Sequence, residues 1–135
     1  MVERRFARRV DALGSIFEFV RDFFRSNGLP GEQTFEIDLI LEELFTNMIR
    51  HAVGGHEAIA IAMGWDGTDL TLVLHDFDVE PFDVTAPPKT DLNLPLHERR
   101  PGGLGLHLVQ QLSDGLRYDY ADRTSKITVT KRLEI

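Results

Sequence analysis

The chain has 135 residues, a formal net charge of −7, no cysteine and a hydrophobic fraction of 42%. This length and composition predict a single globular domain, residues 1–135, that can bury a core without cross-links. The missing cysteines exclude disulfides and a thiol nucleophile, and the acidic balance argues against direct nucleic-acid binding. Because no segment is long and apolar enough for a membrane span or a secretory signal, we expect a soluble, cytoplasmic protein.

The first predicted helix is preceded by a cluster of arginines, Arg4, Arg5, Arg8 and Arg9. Two interpretations of this cluster stay open: a solvated basic end, or a docking patch for an acidic partner. Residues 10–25 are predicted to form an amphipathic helix, because their apolar side chains recur at helical spacing. The Asn-Gly-Leu-Pro sequence that follows predicts the end of this helix.

A second helix and a hairpin come next. Residues 32–52 carry an apolar stripe at helical spacing, and the two glycines after them predict the helix C-terminus. The stripe consists of Ile37, Ile40, Leu41, Leu44 and Met48. Strands are predicted over residues 58–65 and 70–77, and the Asp-Gly-Thr sequence between them is typical of a hairpin turn.

The pattern breaks over residues 78–101, where repeated prolines exclude regular structure. A segment of this length inside a compact domain is usually functional, and we interpret it as a lid. A third helix is predicted to begin at Gly103 or Leu104 and to end near residues 113–115, followed by strands over residues 116–121 and 126–133. This order predicts an α/β (α+β) fold with the helices on one face of a mainly antiparallel sheet.

Three polar residues of the second helix, Glu43, Asn47 and His51, succeed one another at intervals of four. They lie at the margin of the apolar stripe, where a carboxylate and an amide are costly unless they have partners. The spacing alone leaves two alternatives. Glu43 and Asn47 either hydrogen-bond to each other or to a loop, or they form a base and a metal ligand beside a phosphate site.

A glycine cluster at the start of the third helix could supply that phosphate site. Gly102, Gly103 and Gly105 lie in the sequence RRPGGLGLHLV. Glycines allow close approach of a ligand to the backbone, and a helix N-terminus offers free N–H groups to an anion. The cluster is not a Walker loop, because no Gly-Lys-Ser/Thr sequence is present. A flexible hinge before a helix is the alternative interpretation.

Taken together, these segments resemble the Bergerat ATP-binding fold of DNA gyrase and histidine-kinase catalytic domains. The resemblance rests on LILEELFTNMIRHA, LHDFDVEPFD, the proline-rich lid and GGLGLHLV, in that order. The tail, LPLHERRPGGLGLHLVQQLSDGLRYDY, is most similar to the small anti-sigma factor serine kinases of bacteria. The resemblance implies a two-layer sandwich whose helices lie on one face of a mainly antiparallel, mixed sheet.

The resemblance also implies roles for single residues. Glu43 matches the general base, Asn47 matches the asparagine that binds Mg²⁺, and His51 is a less direct match near the nucleotide. The phosphates of ATP are expected at Gly102, Gly103, Leu104 and Gly105. Arg99 and Arg100, in the lid, are candidates for a charge-neutralising finger on the γ-phosphate. For His51, a favourable contact with the helix dipole is the alternative role.

The sequence departs from the family pattern in the first glycine box. Phe77 stands where the pattern has the acid that binds the adenine amino group, and Val79 stands where it has glycine. Asp76 and Asp78 flank the acid position, so a one-residue slip of the strand end would bring one of them to the base. Because a β-branched side chain cannot replace a glycine that needs a positive φ, we expect weak ATP binding.

The resulting prediction is an anti-sigma regulatory factor with ATP- and Mg²⁺-dependent protein-serine kinase activity. The resemblance implies two partners, a sigma factor and an anti-sigma antagonist of the sulfate-transporter/anti-sigma-antagonist (STAS) fold, and a homodimeric assembly. One alternative is a binding module that keeps the partner surface but transfers no phosphoryl group, and another is a kinase-like domain cut from a larger, phosphatase-containing regulator.

Overall fold

The computed structural model describes residues 1–83 and 103–134. For Gly103 and Leu104 only the backbone is described. The helices in these ranges are α1 (Leu13–Ser26), α2 (Thr34–His51) and α3 (Gly103–Leu112). The strands are β1 (Val2–Phe6), β2 (Ile59–Trp65), β3 (Asp69–Phe77), β4 (Gly115–Ala121) and β5 (Thr124–Arg132). No helix within the described ranges is both long and apolar enough to cross a membrane. All three predicted helices and all four predicted strands are therefore present, with small shifts at their ends.

The five strands form one sheet in the order β1-β2-β3-β5-β4, and every described pairing is antiparallel. The predicted fold class is confirmed: helices α1, α2 and α3 share a core with one face of this sheet. The hairpin between β2 and β3 is closed by Asp66, whose Oδ1 accepts hydrogen bonds from the backbone N–H groups of Thr68 and Asp69 at 2.8 and 2.7 Å.

The core lies between α1, α2 and the inner face of the sheet. On β3 the alternate residues Leu70, Leu72 and Leu74 have no exposed surface, as expected for a strand with one face on the core. Burying a side chain of this type stabilises the fold by about 1.5–3 kcal/mol. On α1 the buried residues recur at helical spacing: Ile16, Phe19, Val20, Phe23 and Phe24.

Strand β1 was not predicted. The arginine cluster was interpreted as a solvated end or a docking patch, but Arg4 and Arg5 belong to an edge strand paired with Ile61 and Ala60 of β2. The first four residues of this strand are exposed and only Phe6 is buried. Charged side chains are common on edge strands, so the alternation that would identify a strand is absent from the sequence.

The end of β3 is fixed to the turn between β4 and β5. In that turn Asp122 and Arg123 both have positive φ angles, 51° and 56°, which is the twist that a two-residue hairpin loop requires. The Val79 N–H donates to the Arg123 carbonyl at 2.9 Å. The positive φ at the end of β3 falls on Asp78 (54°) rather than on Val79, so Val79 does not adopt a conformation that would require glycine. The weak ATP binding expected from the missing glycine stays a prediction.

Further hydrogen bonds hold the first residues of the predicted lid. Its first residues are attached to the domain, because the Glu80 N–H donates to the Val53 carbonyl at 2.9 Å and the Phe82 N–H to the Tyr118 hydroxyl at 3.1 Å. The remainder of the predicted lid, from residue 84 onward, lies outside the described residues.

Candidate functional site

The Glu43 carboxylate lies against the first turn of α3. A Cβ atom added to Gly105 would overlap this carboxylate, with Oε1 at 2.8 Å from the added atom and the other two carboxylate atoms nearer still. Glu43 itself is half-buried, as its place at the margin of the apolar stripe predicted. The structure therefore brings the predicted base and one predicted phosphate-binding glycine into contact.

Burial raises the pKa of the Glu43 carboxyl above its ordinary value, and repulsion from the neighbouring Glu42 raises the pKa further. Arg50 lowers the pKa, but this is the smallest of the three influences. A carboxylate whose pKa is raised binds a proton more readily than an ordinary glutamate. This is the property that a general base near neutral pH requires.

Asn47 lies one turn further along α2, with 6% of its surface exposed. Its side chain makes no hydrogen bond to Glu43, nor to any other residue within 1–83 and 103–134. The alternative that the two side chains satisfy each other is therefore not seen. In the described ranges the buried side-chain polar atom without a partner is Asp38 Oδ1 and not an atom of the Asn47 amide, so this amide keeps some access to solvent and can bind a group from outside the chain.

His51 is the last residue of α2. Its ring stacks on the ring of Phe82, with the centroids 5.3 Å apart and the planes 17° from parallel. His51 thus borders the segment that follows β3. Its place in the last turn of the helix also fits the alternative role, a favourable interaction with the helix dipole.

The two aspartates at the end of β3 have opposite environments. Asp76 points to the helix side of the sheet and is 1% exposed. Asp78 is exposed and pairs with Arg123 at 2.8 Å, an interaction that lowers the Asp78 pKa. Phe77 lies on the opposite face, where the Arg5 guanidinium covers its ring. In the observed register Asp76 therefore lies on the helix side of the sheet without a slip of the strand, and which aspartate meets a nucleotide base stays a prediction.

Asp76 has a partner that the sequence analysis did not assign. The Arg8 guanidinium, from the segment after β1, donates to both oxygens of Asp76: Nη1 lies 2.5 Å from Oδ1 and Nη2 lies 2.9 Å from Oδ2. Arg8 was singled out only as a member of the arginine cluster. The two residues are 68 positions apart in the chain, so no local sequence pattern indicates this pair.

Other predicted site residues fall outside the description. Arg99, Arg100 and Gly102 are not among the described residues, and for Leu104 only the backbone is described. Gly103 is the first residue of α3, as predicted. Within the described ranges no three or more histidine, aspartate or glutamate side chains form a group that could hold a metal ion.

The chain was compared with known families and structures. The sequence profile of a family described as the histidine kinase-like ATPase domain matches residues 6–131. No curated protein sequence matches the chain significantly.

Solved structures with a similar fold include the RsbU and RsbW domains of Rv1364c from Mycobacterium tuberculosis. That structure has a TM-score of 0.63 and 14% identity, over 97% of this chain and 32% of the other. The histidine kinase domain from the Erythrobacter litoralis EL346 blue-light activated histidine kinase has a TM-score of 0.51 and 16% identity, over 90% of this chain and 59% of the other. The Acinetobacter baumannii histidine kinase AdeS has a TM-score of 0.51 and 18% identity, over 98% of this chain and 68% of the other.

The chain therefore spans about a third of the length of the first of these structures and less than two thirds of the second. At these identities the likeness shows the fold.

Proposed function

The chain belongs to the histidine kinase-like ATPase domain family, and we propose that it is an ATP-dependent protein-serine kinase that acts as an anti-sigma factor. Its phosphoryl acceptor would be a serine on a STAS-fold antagonist, and its second partner a sigma factor. The anti-sigma role is supported by the similarity of the sequence around the third helix to anti-sigma factor serine kinases. The resemblance also makes a homodimer the expected assembly.

The observation that carries the proposal is the contact between the Glu43 carboxylate and Gly105 in the first turn of α3. The N–H groups of a helix N-terminus stabilise phosphate oxygens, so this turn is a suitable place for the end of ATP that reacts. In the proposed reaction the serine hydroxyl oxygen attacks the γ-phosphorus and the bond to the β-γ bridging oxygen breaks. Glu43 takes the hydroxyl proton, and the products are phosphoserine and ADP.

The residues present are compatible with Mg²⁺ that arrives with ATP. Mg²⁺ prefers oxygen ligands and usually keeps several waters and phosphate oxygens, so a single protein ligand such as the Asn47 amide oxygen suffices. Asn47 is buried as a residue, and its side chain has no hydrogen-bond partner within residues 1–83 and 103–134, which supports this role. Bound Mg²⁺ would neutralise charge on the phosphates. Arg99 and Arg100 remain proposed for a similar role, and Gly102 and Leu104 for phosphate binding.

A second candidate is a binding module that contacts its partner without phosphoryl transfer. It is favoured by the Arg8–Asp76 ion pair, because the acid available for a nucleotide base already has a partner. Val79 favours it too, since the first glycine box lacks its glycine.

Transfer of labelled phosphate from γ-labelled ATP separates the two candidates. The purified chain is incubated with Mg²⁺, the labelled ATP and each STAS-fold protein of the source genome, and melting curves are recorded with ATP in the presence of Mg²⁺ or a chelator. The kinase proposal expects label on a serine of one STAS protein and a Mg²⁺-dependent rise in melting temperature. If a STAS protein binds the chain tightly but never gains label, the binding module is the correct candidate.

A further inference from the structure

Both oxygens of Asp76, near the end of β3, are bonded to a cation of the same chain. Both oxygens of Asp76 accept hydrogen bonds from Arg8, and Arg8 Nη2 also lies 3.4 Å from the Met48 carbonyl oxygen. The Arg8 side chain is 14% exposed and that of Asp76 is 2% exposed. Such a two-pronged pair fixes the position of the guanidinium as well as its charge.

Gly55 makes room for this guanidinium. A Cβ atom added to Gly55 would overlap the guanidinium of Arg8, with Nε at 2.9 Å from the added atom and two other atoms nearer. The φ angle of Gly55 lies outside the left-handed range, so its backbone does not require glycine. Gly55 is therefore needed for space, and a side chain at this position would displace the flexible end of Arg8.

Little space remains beside Asp76, where Glu80 and Phe82 of the segment after β3 also line the cavity. The cavity there has a volume of about 10 Å³, and its walls include Met48, Ala52 and Ser125. That volume holds no more than about one water molecule. Sites for drug-sized ligands measure roughly 300–1,000 Å³. A purine needs more room than this cavity gives, and because both oxygens of Asp76 are bonded to Arg8 it can bond to them only in competition with that guanidinium.

We propose that Arg8 is an intramolecular competitor for the nucleotide base, and that it sets both the affinity and the base selectivity of the site. This inference rests on the proposed function, because it assumes that the domain binds ATP. The seated Arg8 blocks the base site, and the apparent dissociation constant equals the intrinsic one divided by the fraction of molecules in which Arg8 has left. Once released, the Asp76 carboxylate accepts a hydrogen bond from the exocyclic amino group of adenine.

The same carboxylate disfavours guanine. Guanine presents a carbonyl oxygen at the position where adenine has its amino group, and two acceptors facing each other cannot form a hydrogen bond. Removing Arg8 is therefore expected to increase affinity for ATP selectively. In this respect the competition differs from a general opening of the pocket, which would help both nucleotides.

Two substitutions test the competition by different routes. Arg8→Ala deletes the guanidinium, whereas Gly55→Ala leaves every charge in place and displaces the guanidinium. Arg9→Ala is the matched arginine control, since Arg9 is 72% exposed and its ion pair within the described ranges is with the exposed Asp11. Gly31→Ala is the matched glycine control, because nothing lies within 4 Å of an added Cβ there.

The experiment is calorimetric titration of the wild type and the four variants with Mg·ATP and with Mg·GTP, with circular dichroism to verify folding. We expect Arg8→Ala and Gly55→Ala to bind ATP at least about 10-fold more tightly than the wild type, with GTP affinity unchanged and both controls equal to the wild type. If Arg8→Ala is unfolded, Gly55→Ala alone decides.

Each other outcome overturns the proposal. Equal ATP affinity in the wild type, Arg8→Ala and Gly55→Ala would make the ion pair purely structural while the proposed kinase function stands. Equal gains for ATP and GTP would remove the selectivity. If none of the five proteins binds ATP, the proposed function fails and the competition fails with it.

Discussion

Two glycines of this domain each leave room for a charged side chain, one for a cation and the other for an anion. At Gly55 the space of the missing side chain holds the guanidinium of Arg8, and at Gly105 it holds the carboxylate of Glu43. The surroundings of the two carboxylates differ. Asp76 is buried and bonded through both oxygens to Arg8, whereas Glu43 is half-buried and repelled by Glu42.

Asp76 is therefore an acid that is held by a partner, whereas Glu43 is an acid that can accept a proton. A carboxylate that accepts two hydrogen bonds from a guanidinium is held in one position by its partner. Burial and the neighbouring carboxylate raise the pKa of Glu43 and make it a better base. The comparison predicts that substitutions at Glu43 mainly change the reaction and substitutions at Asp76 mainly change stability and nucleotide binding.

The largest expected effect is on the rate of transfer in Glu43→Gln. The amide keeps the shape of the side chain but cannot accept the serine proton, so phosphorylation should fall by about 10²–10⁴-fold. Folding should be unharmed, because a buried charge has been removed. Rates are measured with labelled ATP, and Glu18→Gln on the exposed face of α1 is the control. A wild-type rate in Glu43→Gln would show that its contact with Gly105 is structural.

The next effect is on stability, in Asp76→Ala. The substitution leaves Arg8 without its buried partner, and breaking a buried ion pair in this way costs about 3–5 kcal/mol. For a domain of this size the melting temperature should fall by roughly 10–20 °C. Asp78→Asn is the contrast, because Asp78 pairs with Arg123 at the surface and exposed pairs contribute little. Similar losses in both variants would contradict the comparison.

Most of the helices and strands could be predicted because the periodic spacing of apolar residues in the sequence reflects the buried face of each element. The helical stripe of α2 and the alternation in β3 are local patterns that reflect one buried face each. The spacing of Glu43 and Asn47 on α2 is local too, so their shared edge was predictable. The contact of Glu43 with Gly105 was suggested only by the family resemblance, since it joins residues far apart in the chain.

The predictions that were wrong or missing depend on tertiary contacts or on single dihedral angles. Strand β1 exists because β2 offers it a partner, and its own exposed side chains carry no alternation. The sequence pattern could not decide whether Asp76 or Asp78 lies on the helix side of the sheet, because that depends on which residue ends β3. The structure places the positive φ on Asp78 and leaves Asp76 on the inner face.

A smaller effect on rate is expected from Gly105→Ala, which fills the space that holds the Glu43 carboxylate. The carboxylate must move, and displacing a catalytic group by about 1 Å can cost up to roughly 10²-fold in rate. Gly14→Ala is a matched control in the first turn of α1, where nothing lies within 4 Å of an added Cβ. Both substitutions favour the helix, so neither should destabilise the protein. Equal rates in the two variants would show that the position of Glu43 is not critical.

The smallest expected effect is a shift in the pH dependence of the reaction. Glu43 must be ionised to act as a base, so activity should rise with pH through a pKa above the ordinary value of glutamate. Burial is the main cause of this raised pKa, and the charge of Glu42 is the second. Glu42→Gln should therefore move the rise in activity to lower pH without abolishing it.

The pH dependence of stability independently checks the direction of the Glu43 pKa shift. A carboxyl whose pKa is higher in the folded state contributes most to stability below its unfolded pKa, and this contribution declines as the pH rises through the folded pKa. That decline should be smaller in Glu42→Gln, and the part due to Glu43 should vanish in Glu43→Gln. If the rate profiles of the wild type and Glu42→Gln coincide, the group that limits the reaction at low pH is not Glu43.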